Sequence, residues 1–262
     1  MEERLANPRL IGKTALVTGS TRGLGRTIAE WLAREGAAIV VSGCQAADVQ
    51  AVVEAIRQLG VKAFGVAADL SLVSEAHRLA EETLNLVGQL DILVNNAGMS
   101  IRGHFWEVSD ADWEYQVNVN FRSPFILAQH AARHMIERGI RGRIVNISTV
   151  GAHLVHKDAA VYDAAKATVE AMTRNMAFEL APYGISVNCV APGAIMERPG
   201  IQEDRQAWER YARNNIPFGR VGRAEDIAAA VLFFCLPETE FTTGQVLVVD
   251  GAHTTYIKED WD

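Results

Sequence analysis

Short, uninterrupted apolar runs recur along this chain, and a stretch with helical spacing follows nearly every one. Thr14–Thr18, Ala38–Ser42, Ala63–Ala67, Asp91–Asn95, Gly142–Ile147, Ile185–Val190 and Gln245–Val249 read as strands. Helical patterns lie between them: one ending at Arg34, then Asp48–Leu59, Ser71–Leu86, Asp110–Glu137, Ala159–Leu180 and Ala224–Leu236. A strand that is apolar throughout has no solvent face and must be covered on both sides. Alternation with helices supplies that cover and makes the strands parallel. The expected fold is α/β: a doubly wound parallel sheet (a Rossmann fold) of about seven strands, with helices on both faces.

No linker, composition break or internal repeat divides the 262 residues. Residues 1–262 are expected to form a single domain, with a charge-rich insertion at about 196–220. In open parallel sheets, ligands bind beyond the carboxyl ends of the strands. The chemically distinctive residues of this chain fall at those ends.

Thr18-Gly19-Ser20-Thr21-Arg22-Gly23-Leu24-Gly25 follows the first strand. Such glycines permit a tight turn and let backbone N–H groups and a helix N-terminus approach a phosphate. Far downstream, Tyr162 and Lys166 stand four apart in a helical pattern, on one face. A phenol beside an ammonium gives up its proton more readily than a free phenol, whose pKa is about 10. Together the two features suit hydride transfer at an alcohol or carbonyl, in a dinucleotide-binding catalytic domain.

With Asn95-Asn96-Ala97-Gly98 after the fourth strand and Pro192-Gly193 after the sixth, the chain resembles the short-chain dehydrogenase/reductase family in its single-domain form. The resemblance covers roughly residues 10 to 252. It implies general acid/base chemistry at Tyr162, assisted by Lys166. In the family a serine lies thirteen residues before that tyrosine; here the position is Thr149, with Ser148 the alternative just ahead of it. A threonine hydroxyl still donates, although its β-methyl narrows the pocket. The family asparagine matches Asn120 in Asn120-Phe-Arg-Ser-Pro-Phe125, and Asn118 is then turned about 200° around the helix.

The same resemblance implies cofactor contacts from Gly19, Thr21, Arg22, Gly23, Leu24 and Gly25, from Asp69 and Leu70, and from Asn96, Ala97 and Gly98. It adds Tyr162, Lys166, Pro192, Gly193 and Ile195, while a family threonine is replaced by Glu197. An NAD-preferring relative carries a carboxylate after the second strand; here that position is Gly43, followed by Cys44. Nothing there repels a 2′-phosphate, and Arg22 is a cation that NADP-using relatives often show. NADP(H) is therefore expected over NAD(H).

Substrate contacts are expected from Ser100, Arg102, His153, His156, Glu197 and Arg198, with His104, Trp106, Lys157, Asp158, Trp208, Tyr211 and Arg213 nearby in the same loops. This polar set suits a sugar, polyol or small hydroxy or oxo acid. A 3-oxoacyl thioester reductase is the alternative enzyme, and a non-catalytic dinucleotide sensor the alternative outside catalysis. The insertion 196–220 reads as a lid hinged at Pro199-Gly200 and Ile216–Gly219. His130 and His134 are four apart, but no third ligand has suitable spacing, so no metal is expected.

The net charge of −7 makes nucleic acid a poor partner. No run of 18 apolar residues suggests a membrane span, and the acidic N-terminus is unlike a targeting peptide. Three scattered cysteines suit a reducing compartment, so a cytoplasmic location is expected. The family resemblance implies a homotetramer, with a homodimer as the alternative.

Overall fold

The computed structural model describes residues 8–196 and 204–255. Seven strands form one sheet in the order β3-β2-β1-β4-β5-β6-β7, every pairing parallel. They are β1 (Thr14–Val17), β2 (Ala38–Gly43), β3 (Ala63–Ala67), β4 (Ile92–Asn95), β5 (Arg143–Ile147), β6 (Ser186–Pro192) and β7 (Val246–Val249). Their helices are α1 (Gly23–Arg34), α2 (Ala46–Arg57), α3 (Val73–Val87), α4 (Asp110–Val117), α5 (Ser123–Arg138), α6 (Ala160–Leu180), α7 (Arg205–Asn215) and α8 (Ala224–Cys235).

The strands divide their side chains between two cores because successive residues point to opposite faces. Val17, Val41, Val94 and Val145 pack with α1, α2 and α8. Leu16, Val40, Leu93 and Ile144 pack with α3, α5 and α6 on the other face. Each such buried side chain contributes about 1.5–3 kcal/mol. Both faces are thus covered, as the continuous apolar runs require. The strand order reverses between β1 and β4, which opens a crevice at their carboxyl ends.

Two departures from the expected elements bear on the site. The helical stretch from Asp110 is interrupted at Asn118–Arg122 by a π turn, in which Ser123 N–H reaches back to the Asn118 carbonyl. Pro124 accounts for it: proline has no N–H to offer Asn120, and its ring would clash with that carbonyl in a regular α-helix. The second departure is α7, inside the insertion, which the Asp204 carboxylate caps by accepting from Ala207 N–H at 3.0 Å.

Candidate active site

The crevice between β1 and β4 is closed at its base by a mesh of hydrogen bonds. Thr18 Oγ1 accepts from the N–H groups of Asn96 and Ala97, each at 3.0 Å. Asn96 Nδ2 donates to the Thr18 carbonyl at 2.8 Å and reaches that of Gly19 at 3.3 Å. Gly19 and Gly23 adopt φ of +62° and +52°, which glycine tolerates. At Gly25 a Cβ would meet the Gly19 carbonyl oxygen at 2.3 Å and Asn96 Nδ2 at 2.4 Å, so no side chain fits.

No side chain caps the N-terminus of α1: its flanking residue is Arg22, and no acid stands in the first turn. These N–H groups and their dipole face a cradle that glycines keep clear, the arrangement that receives a diphosphate. The residues present therefore fit a dinucleotide.

At the far end of β2, a Cβ on Gly43 would fall 2.6 Å from Thr21 Cγ2. The position that carries a carboxylate in NAD-preferring relatives is closed to a side chain here unless Thr21 moves. Arg22 and Cys44 beside it are exposed. Asp69 follows β3 and accepts from Ser71 N–H at 3.0 Å, a turn that precedes α3. Leu70 is buried, and its carbonyl accepts from Ser123 Oγ at 2.8 Å.

Tyr162 and Lys166 occupy successive turns of α6. The Lys166 ammonium lies 5.9 Å from the centroid of the Tyr162 ring and donates to the Ile147 carbonyl, at the end of β5, at 2.9 Å. Lys166 is only 2% exposed. Asn120, in the π turn, is fully buried; its Nδ2 donates to the carbonyls of Met99 and Gln116, and its Oδ1 accepts from Met99 N–H. Asn118 instead donates to the Ser71 carbonyl at 2.9 Å. Gly98 lies against both Asn120 and Lys166: a Cβ there would be 3.1 Å from Asn120 Oδ1 and 3.4 Å from Lys166 Nζ.

Ser148 and Thr149 are both buried but are used differently. Ser148 Oγ donates to Glu170 Oε1 at 2.7 Å. Thr149 Oγ1 accepts a long bond, 3.4 Å, from Gly151 N–H, which leaves its own hydrogen to donate. Beyond β6, Gly193 N–H is held by the Val249 carbonyl, and Ile195 is buried in a short bridge to Gly222.

The two loops nearest the mouth are bound to each other. Arg102 donates to the Lys157 carbonyl at 2.6 Å, and Gly103 N–H to that of Asp158 at 3.0 Å. Three histidines each meet a carboxylate: His104 with Asp158 at 3.1 Å, His153 with Glu170 at 3.1 Å, and His156 with Asp163 at 2.8 Å. His104 also stacks on Trp106. Ser100 Oγ is buried with no hydrogen-bond partner among the described residues. Sequence analysis named these histidines and Asp158 but not the pairings, nor Asp163 and Glu170, because such pairs arise only when the loops fold onto each other and onto α6.

Trp208 packs on Tyr211 within α7, and Tyr211 hydrogen-bonds His253 at 3.1 Å. Arg213 lies in the last turn of that helix. Glu197, Arg198 and the Pro199-Gly200 hinge lie outside the described residues. His130 pairs with His77 at 3.0 Å, while His134 accepts from Leu90 N–H, so the two do not converge. Among the described residues no group of three histidine, cysteine or acidic side chains is placed to hold a metal.

A family profile described as enoyl-(acyl carrier protein) reductase matches residues 19–254. The chain is 40% identical over 244 residues to a 3-oxoacyl-[acyl-carrier-protein] reductase of Aquifex aeolicus, covering 93% of this chain and 98% of that one. The chain belongs to the short-chain dehydrogenase/reductase family. It is 38% identical to the (2S)-[(R)-hydroxy(phenyl)methyl]succinyl-CoA dehydrogenase subunit BbsD of Thauera aromatica, over 93% of this chain and 97% of that one. A gluconate 5-dehydrogenase from Burkholderia cenocepacia, solved with NADP and tartrate, superposes with a TM-score of 0.88 at 35% identity, covering 95% of this chain and 98% of that one. As a short-chain dehydrogenase/reductase the protein is an NAD(P)-dependent oxidoreductase acting on a secondary alcohol or the matching carbonyl. Among its described residues no helix is long and apolar enough to cross a membrane.

Proposed function

We propose that the protein interconverts a secondary alcohol and a carbonyl on a small polar substrate (a sugar, polyol, or hydroxy or oxo acid), with Tyr162 as the general acid/base. The observation that carries this reading is the convergence of Tyr162, Lys166, Asn120 and Gly98 beside the glycine cradle. When bound, the nicotinamide supplies or accepts the hydride. Tyr162 gives the substrate oxygen its proton during reduction and removes it during oxidation. Lys166 sets a positive charge beside the phenol and stabilises the negative charge that develops on its oxygen. Thr149 donates its free hydrogen to the substrate oxygen, while Ser148 is committed to Glu170. Asn120 holds the loop at Met99, and with it the wall next to Gly98.

Gly19 to Gly25 and the start of α1 hold the diphosphate, with Asp69, Leu70, Asn96 and Ala97 on the adenosine side and Pro192, Gly193 and Ile195 on the nicotinamide side. NADP(H) is favoured over NAD(H), because Arg22 is exposed and Gly43 leaves the end of β2 itself without a carboxylate. Ser100, Arg102, His153 and His156 supply the polar mouth, together with Glu197 and Arg198. The solved gluconate 5-dehydrogenase relative, with tartrate bound, supports that substrate class.

A second reading, reduction of a 3-oxoacyl thioester, draws on the 40% identical relative and on an apolar rim in which Phe105, Trp106 and Val155 are largely exposed. Absorbance at 340 nm separates the two. Reduction of NADP+ by gluconate, aldoses or polyols supports the first, and oxidation of NADPH by acetoacetyl-CoA with silence on the polar panel supports the second.

A homotetramer is the proposed assembly. Among the described residues edge strand β7 has a neighbour on one side only, and Phe178 and Phe241 are largely or fully exposed. Sedimentation as a monomer would overturn it. Three free cysteines suit the reducing cytoplasm.

A further inference from the structure

Glu170 is a carboxylate only 6% exposed, and the proton-transfer chemistry does not use it. Burying a carboxylate is costly unless hydrogen bonds compensate. Its Oε1 takes two, from Ser148 Oγ at 2.7 Å and from His153 Nε2 at 3.1 Å. Ser148 and His153 stand immediately before and after the turn Thr149–Ala152. Inside that turn, Thr149 Oγ1 has only the long bond from Gly151. The same helix carries Tyr162, Lys166 and Glu170 at successive four-residue steps, on one face.

We propose that Glu170 is a positioning residue that clamps both ends of the turn carrying Thr149 onto the helix that carries Tyr162. One carboxylate oxygen holds Ser148 at the strand end and His153 at the loop end, so the threonine hydroxyl keeps a fixed place relative to the phenol. Misplacing a reacting group by about 1 Å can cost on the order of a hundredfold in rate. The inference rests on Thr149 as a substrate hydrogen-bond donor.

A double-mutant cycle in the full-length enzyme tests the clamp, with turnover of gluconate plus NADP+ and of acetoacetyl-CoA plus NADPH as probes. Glu170→Ala should lower kcat about 10- to 100-fold while the NADPH dissociation constant, read by fluorescence, stays within about twofold. In a Thr149→Ala background the same change should cost less than about threefold more, since both act through one hydroxyl. Glu170→Gln should recover most of the loss, because its amide oxygen still accepts from Ser148. Full additivity of Glu170→Ala and Thr149→Ala would overturn the clamp and leave Thr149's own role intact. An inert Thr149→Ala would instead overturn the Thr149 reading and the clamp with it.

If Glu170→Ala does not fold, His153→Ala, at an exposed position, removes one arm and should lower kcat several-fold without touching cofactor affinity. An unchanged kcat would count against the clamp. If neither probe turns over, amide hydrogen exchange decides: His153→Ala, and Glu170→Ala where it folds, should speed exchange at residues 151–154, and unchanged protection there overturns the clamp.

Discussion

The Lys166 ammonium donates to the Ile147 carbonyl oxygen over 2.9 Å, which ties the second turn of α6 to the end of β5. The bond aims a cation that would otherwise have several rotatable torsions to spend. Lys166→Met should therefore lower kcat by about three orders of magnitude, since it removes both the charge and the tether. Lys166→Arg should rescue little, because a planar guanidinium does not fit a space shaped for a compact ammonium. Steady-state kinetics on both variants, with thermal melting as a control for folding, check this.

Gly98 sets the width of the cleft beside that lysine. A methyl at this position would press on Asn120 Oδ1 at 3.1 Å and meet Lys166 Nζ at 3.4 Å. Gly98→Ala should reduce kcat about tenfold and Gly98→Val about a hundredfold or more. Gly98 is exposed, so melting temperatures should move little. A large fall in melting temperature would mean that the glycine serves the fold rather than the site.

The proposed preference for NADP(H) puts cofactor choice on Arg22 and Gly43. Arg22→Ala should raise the KM for NADP+ about tenfold, the worth of one charge-assisted hydrogen bond, and leave that for NAD+ unchanged. Gly43→Asp alone should weaken both cofactors, because its Cβ would fall 2.6 Å from Thr21. Combined with Thr21→Gly it should favour NAD+. Parallel titrations with the two dinucleotides give the answer directly.

The three thiols should react very unequally. Cys189 and Cys235 are buried, and burial pushes each up to about 12, so both stay protonated and shielded near neutrality. Cys44 is exposed; partial burial and then the Asp69 carboxylate raise its pKa. A disulfide reagent such as DTNB should titrate one thiol in the native protein and three in denaturant, the native reaction speeding up as pH rises. Saturating NADP+ should slow it if Cys44 borders the proposed adenosine site.

Arg9 and Glu35 give stability a pH dependence on the acid side. Hydrogen bonds from the Arg9 guanidinium and backbone N–H, helped by its charge, hold the Glu35 carboxyl below its ordinary value of 4.5. A depressed folded pKa contributes stability that is complete above the ordinary value and is lost as pH falls through the depressed one. Arg9→Ala should cost about 1–2 kcal/mol at pH 7, because it leaves a buried carboxylate underbonded while the exposed arginine itself is partly screened. Urea unfolding at pH 7 and below pH 4 should show that difference shrinking with acid.

The sheet was legible because its strands are apolar on both faces, and Leu16 and Val17 in fact serve opposite cores. The motifs were legible because they mark the carboxyl ends of those strands. Three features were not. Helix α7 is short and charge-rich and buries only Ala212 fully, so its narrow stripe of Trp208, Tyr211 and Ala212 is easily passed over as loop. The π turn left one trace, Pro124, four residues after Asn120. The carboxylate partners of His104, His153 and His156 depend on loop closure, which spacing along the chain does not encode. Asp163, next to Tyr162 in sequence, illustrates this: only the fold brings it to His156 and leaves Gly151 no room for a side chain.

The π turn at Asn118–Arg122 also makes this helix a counting device. Each residue of an α-helix advances the chain by about 100°. Deleting one residue from the segment would swing the preceding face, Gln116 included, by about that angle relative to α5. Gln116 Oε1, which now accepts from Ile101 N–H, would lose its place in the mouth loop. Outside Asn118 and Asn120, the segment should therefore tolerate a change of side chain better than a change of length.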